Sequence, residues 1–110
     1  MITTIILFAI AAIVGITLII PVLKGGKPAR TNALVHGGVA ATALVMLIIK
    51  YLEDKEAVPQ ISVILFVVAA LGGIVLFSRD LQKKTLPSGL ALIHAGVAVV
   101  AFLILLFSIF

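Results

Sequence analysis

Two histidines, His36 and His94, are the residues of this chain best suited to chemistry, and there is no cysteine. The missing thiols remove disulfides, thiolate metal sites, iron–sulfur clusters and covalent haem attachment. What remains is imidazole chemistry: hydrogen bonding, proton transfer, or one nitrogen from each ring given to a shared metal. The two rings sit in matching strings, ALVHGGVA and ALIHAGVA, with a glycine two residues on, Gly38 and Gly96. Hydrolytic chemistry has no acid, base and nucleophile constellation to use, because Thr17, Thr42, Ser62 and Ser78 read as helix hydroxyls bonded to backbone carbonyls. A zinc site needs about four ligands, and no carboxylate or thiol stands in the apolar stretches to complete one.

The elements that position these rings follow from composition. Of 110 residues, 64% are apolar and 11% charged, against about half and a quarter in a soluble domain. Four stretches, about 2–23, 31–51, 60–78 and 86–110, hold nearly all the apolar residues. Each can cross about 30 Å of hydrocarbon as a helix at about 1.5 Å per residue. They are apolar on every side, which excludes the alternation of a membrane β-barrel. The first lacks a basic leader and a small-x-small cleavage site and is read as a retained span. The expected fold is an all-α integral membrane protein, an up-down-up-down four-helix bundle forming a single domain in contact with the lipid bilayer.

Charge sets the expected orientation. Lys24, Lys27 and Arg30 lie between the first two spans, and Arg79, Lys83 and Lys84, opposed by Asp80, between the last two. The net charge of +4 is thus a topology signal and not a nucleic-acid footprint. The positive-inside rule puts both connections in the cytoplasm and both termini outside, in the cell (inner) membrane. Thr31 or Asn32, and Thr85 or Ser88, are expected to cap the second and fourth helices.

A shift of 58 residues aligns Ile6–Leu52 with Ile64–Phe110 without a gap, and 17 of the 47 pairs are identical. Chance matches among aliphatics are common, so the rarer identities carry the case. His36 falls on His94, Gly15 on Gly73 and Phe8 on Phe66. The reading is two tandem helical hairpins, about 1–52 and 59–110, related by a pseudo-twofold axis along the membrane normal. Ala33, His36, Ala40, Ala43 and Leu47 recur as Ala91, His94, Ala98, Ala101 and Leu105, a helical packing seam with the histidine inside it.

In such a bundle the second and fourth helices are diagonal, and their imidazoles face each other at one depth, about 9 Å from the basic ends. The expectation is one b-type haem held between His36 and His94. Gly15, Gly38, Gly73 and Gly96 would leave room for the macrocycle, and Lys24, Lys27, Arg30, Arg79, Lys83 and Lys84 would pair with its propionates. Asn32, one turn before His36, could orient that ring. Paired histidines on diagonal helices, each in a His-x-Gly context, resemble the haem-binding core of membrane b-type cytochromes. That likeness implies electron transfer, with a quinone or other membrane subunits as partners. In length and span number the chain also looks like the small multidrug-resistance transporters, but the acidic residue of their first span is missing from Ile2–Leu23. Other readings are a noncatalytic assembly subunit, whose histidines only hydrogen-bond between helices, and a small transporter or proton-transfer protein using the pair.

Overall fold

A computed structural model describes residues 1–110. It contains α1 (Ile2–Leu23), α2 (Arg30–Glu53), α3 (Gln60–Leu81) and α4 (Ser88–Phe107). All four are long and apolar enough to cross a membrane. The bundle is 42 Å along its long axis, close to the roughly 40–45 Å of a bilayer with its headgroups. Large aliphatic side chains such as Ile13, Ile74 and Ile93 are exposed, an apolar surface suited to lipid. The chain is an all-α, up-down four-helix bundle with an apolar, lipid-compatible surface.

Each helix packs against two neighbours. α1 lies beside α2 and α4, and α3 beside α2 and α4, while the diagonal pairs make no backbone contact. The two hairpins are closely packed within themselves and more loosely against each other.

α1 and α3 stop in the same way. After α1, Gly25 turns left-handed at φ 82°, its N–H bonds to the Val22 carbonyl at 3.0 Å, and the Gly26 N–H closes back on Pro21 at 2.9 Å. After α3, Lys83 takes φ 57°, bonding to Asp80 at 3.0 Å, and Lys84 closes on Arg79 at 3.0 Å. Both are Schellman closures, which satisfy carbonyls at the helix end. Glycine adopts the left-handed conformation freely, whereas lysine pays a steric cost for it.

α2 and α4 begin directly after extended residues, Ala29 and Pro87, without a side-chain cap. The capping expectation therefore fails. Thr31 and Asn32 lie inside α2, Ser88 is the first residue of α4 and Thr85 remains in the turn, because each helix starts as soon as its proline-containing turn is complete. α3 also runs beyond residue 78 through Arg79 and Asp80, and α2 runs on to Glu53. A charged residue ends a span without ending the helix.

The core is divided. Toward the end opposite the basic connections, Ile5, Phe8, Ala43, Leu47, Val58, Phe66, Ala101 and Leu105 form one buried cluster. Ser62 adds a buried hydroxyl that donates to the Ala101 carbonyl at 2.8 Å, tying α3 to α4. Toward the basic end only Val22, Leu86 and Ala91 are fully buried together. One half of the bundle is solid and the other hollow. The expected seam holds, since none of its ten residues is exposed and Ala43, Leu47, Ala101 and Leu105 are fully buried.

Candidate functional site

The hollow half is a cavity of about 1110 Å³ lined by all four helices. Its walls are apolar, apart from both histidines and a few polar groups at the end of α3. On the side of the solid core it reaches Phe8 and Phe66, whose rings stack at 3.9 Å between centroids and 7° between planes. These two side chains bridge the diagonal between α1 and α3, which the backbones do not.

The histidines bridge the other diagonal. Their ring centroids are 6.2 Å apart and their planes stand at 85°. Each is anchored to the helix beside it: His36 Nδ1 lies 2.8 Å from the Ala11 carbonyl oxygen, and His94 Nδ1 lies 2.6 Å from that of Ala69. A carbonyl only accepts, so both Nδ1 atoms carry a proton, and in the neutral form of each ring Nε2 is the atom that keeps a lone pair. No Nε2 hydrogen bond is made, and no polar side-chain atom is both buried and unpartnered. Each Nε2 therefore meets open volume, and both rings line the cavity.

The anchoring depends on glycine. In a helix the Ala11 carbonyl points toward the N–H of Gly15, and that of Ala69 toward Gly73. The imidazole reaches the carbonyl by passing over the glycine. A Cβ at Gly15 would lie 3.2 Å from His36 Cε1, and one at Gly73 only 3.0 Å from His94 Cε1. Gly15 and Gly73 thus make room for the rings themselves. Gly38 borders the cavity with open space beside it, while Gly96 does not line it.

The other expected residues are placed differently. None of Lys24, Lys27, Arg30, Arg79, Lys83 and Lys84 lines the cavity. Arg79 donates twice to the Thr85 carbonyl, at 3.1 and 3.0 Å, bracing the α3–α4 turn. Arg30 donates through Nε to Asp80 Oδ2 at 3.3 Å, its side chain half exposed and that of Asp80 only 8% exposed. Asn32 does not orient His36: it donates to Thr17 Oγ1 at 3.2 Å, and the Ala11 carbonyl holds the ring instead.

Asp80 is the functional candidate that sequence reasoning missed. In the sequence it is only the negative charge that opposes a basic connection, yet it is buried and lines the cavity. Its signal was its isolation as the one acidic residue near that end of the bundle.

The separation of the two rings is that expected of two imidazoles sharing one metal. Metal–imidazole bonds are about 2.0–2.1 Å, and two of them plus roughly 1 Å from each nitrogen to its ring centre span about 6 Å, against the observed 6.2 Å. The cavity also exceeds the roughly 300–1,000 Å³ usual for cofactor pockets. No three metal-ligating side chains are brought together. No protein family, curated protein or solved structure matches this chain.

Proposed function

We propose that the chain is a small b-type membrane cytochrome in which His36 and His94 hold one haem b through their Nε2 atoms. The observation that carries this reading is the matched anchoring of the two rings through Nδ1, which leaves both Nε2 atoms without a protein partner on rings whose centroids are 6.2 Å apart in a large apolar cavity. A purely structural role would use the Nδ1 bonds alone and gives no reason for the cavity.

When bound, haem supplies one-electron redox chemistry. The chain supplies the surroundings. The carbonyls of Ala11 and Ala69 fix each imidazole's tautomer and raise its basicity as a ligand. Gly15 and Gly73 permit that contact. The stacked Phe8 and Phe66 cover the cavity from the solid half, and the apolar walls keep water sparse, which tunes a potential through burial.

The same reading takes the bundle as two tandem hairpins related by a pseudo-twofold axis along the membrane normal. Its support is recurrence 58 residues on: the starts of α1 and α3 and of α2 and α4, the two Schellman turns, the histidine anchors and the stacked phenylalanines. The six basic residues near one end favour placing that end in the cytoplasm, with both termini outside, in a cell membrane.

The test is haem stoichiometry after expression in haem-replete cells and purification in detergent. One haem per chain is expected, lost in His36→Ala and in His94→Ala with helix content unchanged by circular dichroism. A haem-free wild type, or haem retained in both variants, overturns the assignment.

A further inference from the structure

A second, smaller pocket lies at the end of the bundle opposite the basic connections, away from both histidines. It holds about 230 Å³ between the start of α1 and the end of α2, with Thr4, Lys50 and Glu53 as its polar lining and Met1, Met46 and Ile49 as its apolar lining. Because the bundle is 42 Å long, about the thickness of a bilayer with its headgroups, this end stands at headgroup level.

Its polar groups are unsatisfied by the protein. Thr4 is only 4% exposed and its hydroxyl makes no hydrogen bond, yet no polar side-chain atom is both sealed off and unpartnered. The hydroxyl therefore opens on the pocket that Thr4 lines. Ser62, found 58 residues on and equally buried, gives its proton to the Ala101 carbonyl at 2.8 Å instead. The one ion pair of the chain joins Arg30 to Asp80, which leaves Lys50 and Glu53 unpaired although they stand one turn apart on α2. Lysine ahead of glutamate is the weaker order for such a pair. Glu53 is the last residue of α2, so its carboxylate stands at the negative end of the helix dipole and is short of a cation.

The complement of this lining is a zwitterion: an anion for Lys50 and the Thr4 hydroxyl, and a hydrogen-bonding cation for Glu53. Residues three apart on a helix are separated by about 5–6 Å, the reach of a phosphate and an ammonium joined by two carbons. A volume of 230 Å³ equals roughly eight waters of liquid, at about 30 Å³ each, which suits the about eight non-hydrogen atoms of phosphoethanolamine. Ile49 lines the pocket and is half exposed on the outer surface, so the apolar wall continues toward the acyl region of the bilayer. The second hairpin places Ile104, Phe107 and Ser108 where the first has Met46, Ile49 and Lys50, and no charge stands there.

We propose that this pocket binds the phosphoethanolamine headgroup of a phospholipid, one per chain, its phosphate held by Lys50 and the Thr4 hydroxyl and its ammonium by Glu53. A trimethylammonium headgroup has no N–H to donate to the carboxylate, and a glycerol headgroup brings no cation. The site is at the far end of the bundle from the basic residues and does not depend on the haem assignment.

Native mass spectrometry of the full-length protein, titrated in detergent with dioleoyl-phosphatidylethanolamine, dioleoyl-phosphatidylcholine or dioleoyl-phosphatidylglycerol, measures affinity and stoichiometry. One phosphatidylethanolamine per chain is expected, bound at least about tenfold more tightly than either other lipid, as a hydrogen bond between charged groups requires. Glu53→Gln lowers that preference severalfold, and the exposure of Glu53 lets this variant keep its fold. Thr4→Val keeps the shape but removes the hydroxyl, weakening all three lipids alike because the phosphate is common to them. Equal binding of the three lipids by wild type, tighter binding of phosphatidylglycerol, or an unchanged preference in Glu53→Gln overturns the proposal. Free phosphoethanolamine is expected to bind far more weakly than the lipid; equal affinity would assign the pocket to a soluble zwitterion and overturn the lipid site.

Discussion

His36 and His94 approach to 6.2 Å between ring centroids although the helices that carry them are diagonal and share no backbone contact. Each ring spans its half of the gap by leaning on the neighbouring helix, where a glycine exposes a backbone carbonyl. The placement of the pair is therefore a property of four residues beyond the histidines: Ala11, Gly15, Ala69 and Gly73.

Gly15→Ala and Gly73→Ala are expected to displace the imidazoles without unfolding the bundle. The added methyl falls 3.2 Å from His36 Cε1 or 3.0 Å from His94 Cε1, while alanine gains up to about 1 kcal/mol of helix propensity over glycine. Disturbing a ligand's hydrogen-bond partner typically weakens metal affinity about 10–100-fold. Haem titration of each purified variant measures this, and Gly73→Ala should be the more damaging.

The ring planes at 85° make a spectroscopic prediction. A ferric iron bound by both imidazoles in this orientation gives a low-spin electron paramagnetic resonance spectrum dominated by one strongly anisotropic low-field feature. A rhombic three-line spectrum would mean that the rings are nearly parallel.

Lys83→Gly should stabilise the protein. Lysine there holds φ 57° where its counterpart Gly25 holds 82°, and relieving a side chain from the left-handed region is worth about 1 kcal/mol. Thermal unfolding in detergent followed by circular dichroism should show a higher midpoint, whereas Gly25→Lys should lower it.

Phe8 and Phe66 should be energetically coupled across the diagonal they bridge. Their stacking at 3.9 Å predicts a coupling of about 0.5–1.5 kcal/mol in a double-mutant cycle using leucine at each position. Additive effects of the two substitutions would show that the contact contributes only area.

Breaking the Arg30–Asp80 pair should be asymmetric. Arg30→Gln leaves the carboxylate of a mostly buried Asp80 without its cation, while Asp80→Asn leaves a half-exposed arginine that water can solvate. The first should cost about 1–2 kcal/mol and the second less, after allowance for solvent screening of the arginine. Comparison of unfolding midpoints for the two variants decides it.

Much of this was legible in the residues. Charge-free runs of about 20 residues fixed the number of helices, and the 3-and-4 spacing of Ala33, His36, Ala40, Ala43 and Leu47 identified the inward face, because burial in a bundle obeys helical periodicity. The helix ends were less legible. Membrane helices extend through charged residues into the headgroup zone, so α3 continued past Ser78, and the turns before α2 and α4 left their supposed capping residues inside or ahead of the helix. Within the site, the histidines could be named but their partners could not. A backbone carbonyl has no sequence letter, and only the fold brings Ala11 and Ala69 against the rings. Asp80 was obscured because its burial and its pairing with Arg30, 50 residues away, are tertiary facts.

The most direct measurement of the central claim is a reduced-minus-oxidised visible spectrum of the detergent-purified wild-type protein from haem-replete cells. The account predicts the sharp bands of a low-spin b-type haem, abolished in His36→Ala and in His94→Ala. A colourless protein, or bands that survive both substitutions, would contradict it.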